Sequence, residues 1–344
     1  MGRRILGRRN LPRSRTRVVI MTSALVLVVL AVAVPLTVRA LGTGKSSPSG
    51  QGVADSGYSG ARMSASWKTV FSDRFRGRAG SGVDSKWVYD IGTRYHGAGC
   101  AASWGTGEVE SATRSARNVS VDGRGHLLIS PVRSGRRWAS GRIETAGTFT
   151  APAKGEMKVV AVLRRPGPRH GLGYWPAFWM LGAGFRARGA GTSGTMNCPK
   201  WPSVGEIDVL EDVNALSQHS GTLHCGTDPG GPCREPGGLT SGLLPCPGCQ
   251  ARYASYSVII NRARAGSESI TWYLNGRAYQ TVTEKQVGAR AWRAAVDHRF
   301  FLILDLAVGG GYPNGVCGCS TPTASTSSGA AMRVRSVAVY VRRA

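Results

Sequence analysis

The chain carries only 19 acidic residues, yet three of them stand within one six-residue stretch, Glu206-Ile207-Asp208-Val209-Leu210-Glu211. On a strand, alternate side chains share a face, so Glu206 and Asp208 point one way and Ile207 and Val209 the other. Glu211 is five positions from Glu206 and would fall on the apolar side of a regular strand. The consecutive Val209 and Leu210 mark an extra residue, and a β-bulge there returns Glu211 to the carboxylate face. Three crowded carboxylates repel one another and raise at least one pKa, the condition for general-acid work near neutrality. A plain solvated strand face is the competing reading. It is disfavoured because the other side of the strand is apolar and tryptophans crowd the neighbouring sequence.

Those tryptophans are Trp104, Trp138, Trp175, Trp179 and Trp201, with Tyr174 and Tyr312 in similar glycine-rich settings. Aromatic faces beside scattered carboxylates suit sugar rings, whose apolar C–H faces stack on indoles. Trp175 and Trp179 are four apart and share one face of a strand, either a groove or the core.

The elements that must carry these residues read as strands. Candidate runs are 125–132, 141–149, 156–164, 175–181, 205–213, 256–262, 269–276, 300–308 and 333–342, separated by Gly, Pro and Ser clusters. This is the pattern of an all-β sandwich or barrel. Asn275-Gly276 predicts a tight hairpin. No internal repeat is evident.

With 344 residues, 42% hydrophobic, 18% charged and 48 glycines without a period, the chain is neither disordered nor collagen-like. The formal charge is +25. Ten basic residues against one acid precede Trp67; the remainder holds 34 against 18. The arginines of the body are scattered singly and no nucleic-acid-binding motif accompanies them, so a nucleic-acid partner is not expected. Residues 1–17 hold seven arginines and no acid, and Val18–Val38 is uncharged. This pattern predicts a basic cytoplasmic leader (1–17) and a signal peptide or membrane anchor (18–40). A Gly/Ser-rich linker (41–66) and a globular body (67–344) follow. The body is expected to be secreted or anchored to the outer face of the cytoplasmic membrane. All eight cysteines lie beyond the leader. Export favours disulfides, with Cys225–Cys233 the best single pairing, over zinc ligation by Cys246-x-x-Cys249 and Cys317-x-Cys319.

The ordered series FSDRF (71–75), KWVYDIG (86–92), WGTGEVESAT (104–113), SGRIETAGTF (140–149), WPAFWMLG (175–182), WPSVGEIDVLEDVN (201–214), GTLH (221–224) and FLILDLAVGG near 301–311 resembles glycoside hydrolase family sixteen, its laminarinase-like β-glucanases. The resemblance implies a concanavalin A-like jelly-roll sandwich of two antiparallel sheets with a glycan cleft. It implies a retaining endo-hydrolase of β-1,3 or β-1,3/1,4 glucan that needs no cofactor. By motif position Glu206 is the nucleophile, Glu211 the general acid/base and Asp208 the residue that orients Glu206. His224 is placed beside Glu211, and Glu108, Arg142, Trp175 and Trp179 match sugar-contacting positions. The six-residue E-I-D-V-L-E form resembles the β-1,3 branch. Another glycan such as a galactan, transglycosylation, or a catalytically weak glycan-binding protein are the alternatives. Thr106-Gly107 stands where the family has an Asn pair. Arg74 and Arg335 stand where many relatives hold calcium, so no metal is expected there.

Overall fold

The alternation in the 156–164 run becomes a ten-residue strand, Gly155–Arg164, whose side chains are buried and half-buried in turn. Met157, Val159, Ala161 and Leu163 form its fully buried side. The strand lies at the centre of one of two eight-stranded sheets in a computed structural model that describes residues 67–186 and 195–343. The leader, the apolar stretch and the linker expected before Trp67 lie outside the described residues. Among those described, no helix is long and apolar enough to cross a membrane.

The outer sheet runs Arg277–Thr283, Ser269–Leu274, Ala254–Asn261, Gly155–Arg164, Met332–Arg343, Leu127–Ile129 and Val119–Val121, with Lys68–Asp73 also pairing to Met332–Arg343. The second sheet runs Leu239–Thr240, Gln218–His224, Glu206–Glu211, Tyr174–Gly182, Phe300–Val308, Arg142–Thr145 and Trp87–Tyr89, with Leu244–Pro245 at its edge. Pairing within both sheets is antiparallel, which gives the jelly-roll sandwich that the family resemblance implies, rather than the barrel that the strand pattern left open. Between them lies one continuous apolar core: Ile143, Phe178, Met180, Ile207, Leu302 and Leu304 from one side, Val159, Leu163, Val258, Ile260, Val337 and Val339 from the other. The indole of Trp272 crosses this core and donates to the backbone oxygen of Asp208 at 2.8 Å, pinning the acidic strand to the opposite sheet.

Asn275-Gly276 forms the hairpin its sequence predicts, with both residues at positive φ (50° and 80°). The strands Gln218–His224 and Arg277–Thr283 were not among the candidate runs, because QHSGTLH and RAYQTVT carry too few apolar residues to show a period. The short helix Ala289–Val296, anchored by buried Trp292 whose indole donates to Glu268 at 2.8 Å, also has no sequence counterpart among those runs.

The cysteines form four disulfides: Cys100–Cys198, Cys225–Cys233, Cys246–Cys249 and Cys317–Cys319. Cys225–Cys233 is the pairing expected from sequence, and the paired sulfurs replace the zinc reading. The guanidinium of Arg335 lies 4.2 Å from the ring centre of Tyr253. The carboxylate of neighbouring Asp73 accepts from the Trp87 indole and the Phe75 amide, each at 2.8 Å.

Candidate active site

Three neighbouring strands build the site, and their register decides which side chains meet. In the pairing of Tyr174–Gly182 with Glu206–Glu211, Leu181 faces Glu206, Trp179 faces Asp208 and Ala177 faces Glu211. The register shifts between Phe178 and Trp179, where Val209 is the extra residue. The bulge inferred from the sequence is therefore present, and it puts Glu206, Asp208 and Glu211 on one face with Trp175 and Trp179. The other face carries Ile207 and Leu210 into the core. Entry to the acidic strand is set by Gly205, at φ +72°; a Cβ there would lie 2.0 Å from the Ala295 carbonyl, so only glycine fits.

A cleft of about 270 Å³ lies over this face. Its wall includes Glu206, Asp208, Glu211, Trp175 and Trp179, with Glu108, Arg142, Asp305, Tyr95, Trp104 and Trp201 around them. Trp175 donates its indole N–H to Glu211 Oε1 at 3.0 Å, and Trp179 donates to Asp305 Oδ1 at 2.8 Å. Arg142 is almost fully buried: its Nε lies 3.3 Å from Asp90, its Nη1 3.7 Å from Asp305, and its Nη2 donates to the Tyr95 hydroxyl at 2.7 Å. The guanidinium also sits against the rings of Trp104 (4.5 Å), Trp179 (4.9 Å) and Tyr95 (5.0 Å). Thr106 donates to Glu108 at 2.6 Å, so the threonine that replaces the family's Asn orients this carboxylate.

Burial dominates the electrostatics. It lifts the Glu206 carboxyl to about 8; Asp208 adds to the rise, while His224 and Arg142 oppose it. Glu211 is pushed well above the ordinary range by burial and then by Asp208, despite the opposing pull of His224 and the Trp175 N–H. Both carboxyls are thus raised by burial, Glu206 with two cations opposing the rise and Glu211 with one cation and a neutral N–H. Burial works against charge on His224. The neighbouring Asp208 carboxylate, 3.4 Å from Nε2, and the hydrogen bond to Glu235 outweigh that and hold it well above the usual histidine range.

The structure brings together all three acids, Glu108, Arg142, Trp175 and Trp179, as the motif positions imply. His224 needs correcting. It was expected beside Glu211, but the register pairs it with Glu206 and pairs Glu211 with Ser220. Its Nε2 lies 3.4 Å from Asp208 and 4.0 Å from Glu206, behind the carboxylates rather than in the cleft wall. Of the other aromatics, Trp104 and Trp201 line the cleft and Tyr312 packs edge-on against Trp175 at 5.6 Å. Trp138 and Tyr174 are buried in packing roles. Sequence reasoning missed Asp90, Tyr95, Asp305 and Glu235. Asp305 alone left a trace, as the single charge within FFLILDLAV. Glu206, Asp208 and His224 each bring an atom within 4.8 Å of the others, a spacing that fits a cation. A ring that donates from both nitrogens has no lone pair to coordinate with, so protons and a cation would compete for these atoms.

Residues 94–234 match the family described as XgeA-like, catalytic GH16 domain. The solved endo-1,3-beta-glucanase from Streptomyces sioyaensis is 44% identical, covers 81% of this chain and 98% of its own, and superposes with a TM-score of 0.75. Glucan endo-1,3-beta-glucosidase A1 of Niallia circulans is 30% identical over 80% of this chain and 38% of its own length. The clotting factor G alpha subunit of Tachypleus tridentatus is 30% identical over 72% and 31%. The chain therefore spans only about a third of these two relatives. Its match to the solved glucanase extends over nearly the whole of that protein and agrees with the sandwich. The chain belongs to glycoside hydrolase family 16.

Proposed function

We propose that the protein is an exported endo-hydrolase of β-1,3-glucan that works by retaining double displacement. The observation that carries this reading is the bulged register, which sets Glu206, Asp208 and Glu211 side by side on the floor of an aromatic-lined cleft. The names of the similar glucanases supply the linkage. In the first step Glu206 attacks the anomeric carbon while Glu211 gives its proton to the departing glycosidic oxygen, leaving a glycosyl-enzyme ester. In the second, Glu211 takes a proton from water, the hydroxide attacks the same carbon, and the ester bond to Glu206 breaks. Asp208 stands between them, and Trp175 fixes Glu211 by its indole N–H. The basic leader and apolar stretch before the body support export.

Release of reducing ends from laminarin, compared with mixed-linkage glucan and a galactan, tests the reading. Wild-type protein should release short products from laminarin, and Glu206→Gln and Glu211→Gln should each lower kcat by a factor of roughly 10³ or more. Full activity in either variant would overturn the mechanism. Binding without release would make the protein a lectin, and preference for the galactan would change the substrate.

A further inference from the structure

Glu235 lies in the cysteine-rich segment that none of the family motifs covers, yet its side chain has no solvent exposure. Both carboxylate oxygens are used: Oε2 meets His224 Nδ1 at 2.7 Å, and Oε1 accepts the amide of Cys225 at 2.8 Å. The loop that delivers it is fastened twice. The Cys225–Cys233 disulfide closes it, and Gly230 and Glu235 exchange amide-to-carbonyl bonds of 2.8 and 2.6 Å. Gly238, at φ +67°, backs the imidazole so closely that a Cβ would lie 2.9 Å from Cε1 and 3.0 Å from Nδ1. A side chain at position 238 would therefore crowd the ring out of its place, and glycine leaves it room. Its far nitrogen points at Asp208 and Glu206.

The groups facing His224 are Glu206 and Asp208 from the acidic strand, Glu235 from the loop, and the indole of Trp201 at 5.8 Å. Arg142 and Glu211 act on the same cluster from the cleft side. With carboxylates at both nitrogens, the ring satisfies every partner only when both nitrogens donate. We propose that Glu235 is a positioning residue of this site: it holds His224 as an imidazolium aimed at Asp208 and Glu206, and the Cys225–Cys233 clasp serves to keep it there. This rests on the hydrolase reading for its purpose, since a fixed positive charge behind the nucleophile draws the Glu206 pKa down against the rise that burial imposes. The direction is consistent with the pull of His224 on both Glu206 and Glu211.

The experiment is a titration of the His224 ring by NMR in 15N-histidine-labelled protein, with kcat and KM on laminarin across pH. In wild type, His224 stays charged through neutral pH. In Glu235→Gln, which keeps shape and an acceptor oxygen but not the charge, the ring should lose its proton at least about one pH unit lower. We expect kcat to fall roughly tenfold or more with KM within about twofold. Glu235→Asp retains the charge and should recover part of the shift. Cys225→Ser with Cys233→Ser should shift the ring in the same direction while Glu235 remains. A ring that titrates as in wild type in Glu235→Gln, whatever happens to the rate, overturns the proposal. An unshifted ring in the cysteine variant removes the role of the clasp. If Glu235→Gln does not fold, Glu235→Asp and the cysteine variant decide by the same readout. The NMR arm needs no substrate. A protein that hydrolyses no β-1,3-glucan but loses the His224 charge would therefore refute the function and leave this inference standing.

Discussion

Glu206 and Glu211 have the same side chain and differ in what surrounds them. Glu206 has two cations pulling its pKa down, His224 and Arg142; Glu211 has His224 and the neutral N–H of Trp175. In both, burial is the larger influence and raises the pKa. That asymmetry lets one act as nucleophile and the other as acid in a shared cavity. It also exposes Trp175 to a clean test, since its ring lines the cleft while its nitrogen holds the acid. Trp175→Phe keeps an aromatic face and removes the donor. Because that hydrogen bond lowers the Glu211 pKa, its loss should raise it and carry the alkaline limb of kcat to higher pH. The rate at the optimum is expected to fall by about tenfold. An alkaline limb left in place would show that the indole only packs against the sugar.

At the scale of elements, the site hangs on the turn between the acidic strand and Gln218–His224. Asp212, directly after Glu211, pairs with Arg165 at 2.5 Å, both side chains being wholly buried. Arg165 also donates to the carbonyls of Leu216 and Gln218, so one guanidinium ties the end of one strand to the start of the next. Arg165→Met leaves a buried carboxylate without a partner and should cost about 3–5 kcal/mol, lowering the melting temperature by about 10 °C. Arg165→Met combined with Asp212→Leu should recover most of that loss, because a paired burial is replaced by an apolar one. Calorimetry on both variants distinguishes this lock from a pair of no consequence. Neither residue drew notice in the sequence, and the reason is general to this fold. The acids of 206–211 were legible because they are near in sequence, and their doubled Val209-Leu210 announced the bulge. Arg165 with Asp212, Arg142 with Asp90 and Asp305, and His224 with Glu235 meet through strand register and loop closure. No local spacing encodes those meetings. The same limit misplaced His224, since GTLH gives its strand but not its register. The long apolar strands were readable from their alternation, whereas the polar strand Gln218–His224 was hidden by the hydrophilic face it turns to the site.

For the whole molecule, charge acts in two opposed ways. The body carries a large excess of arginine, and acidification adds to that positive charge, so self-repulsion favours unfolding as pH falls. The buried carboxyls work in the other direction. Burial raises Asp90 to about 6, Asp305 to about 7, and Glu144, Glu206 and Asp212 to about 8. Between their ordinary values near 4 and these raised values, the folded chain binds more protons than the unfolded one. Stability from this source is therefore complete below about pH 4 and is lost as pH rises toward 8. Salt separates the two, because it screens repulsion among exposed arginines and reaches buried groups much less. At high ionic strength the melting temperature should fall steadily from pH 5 to pH 8, and Glu206→Gln should flatten that decline and melt higher than wild type at pH 8. At low ionic strength the same descent should be shallower, since repulsion lowers the acid end. A melting temperature that rises across this range in high salt would mean that the cleft's acids are ionised in the folded protein. The proton that Glu211 must hold for catalysis would then have to come with the substrate.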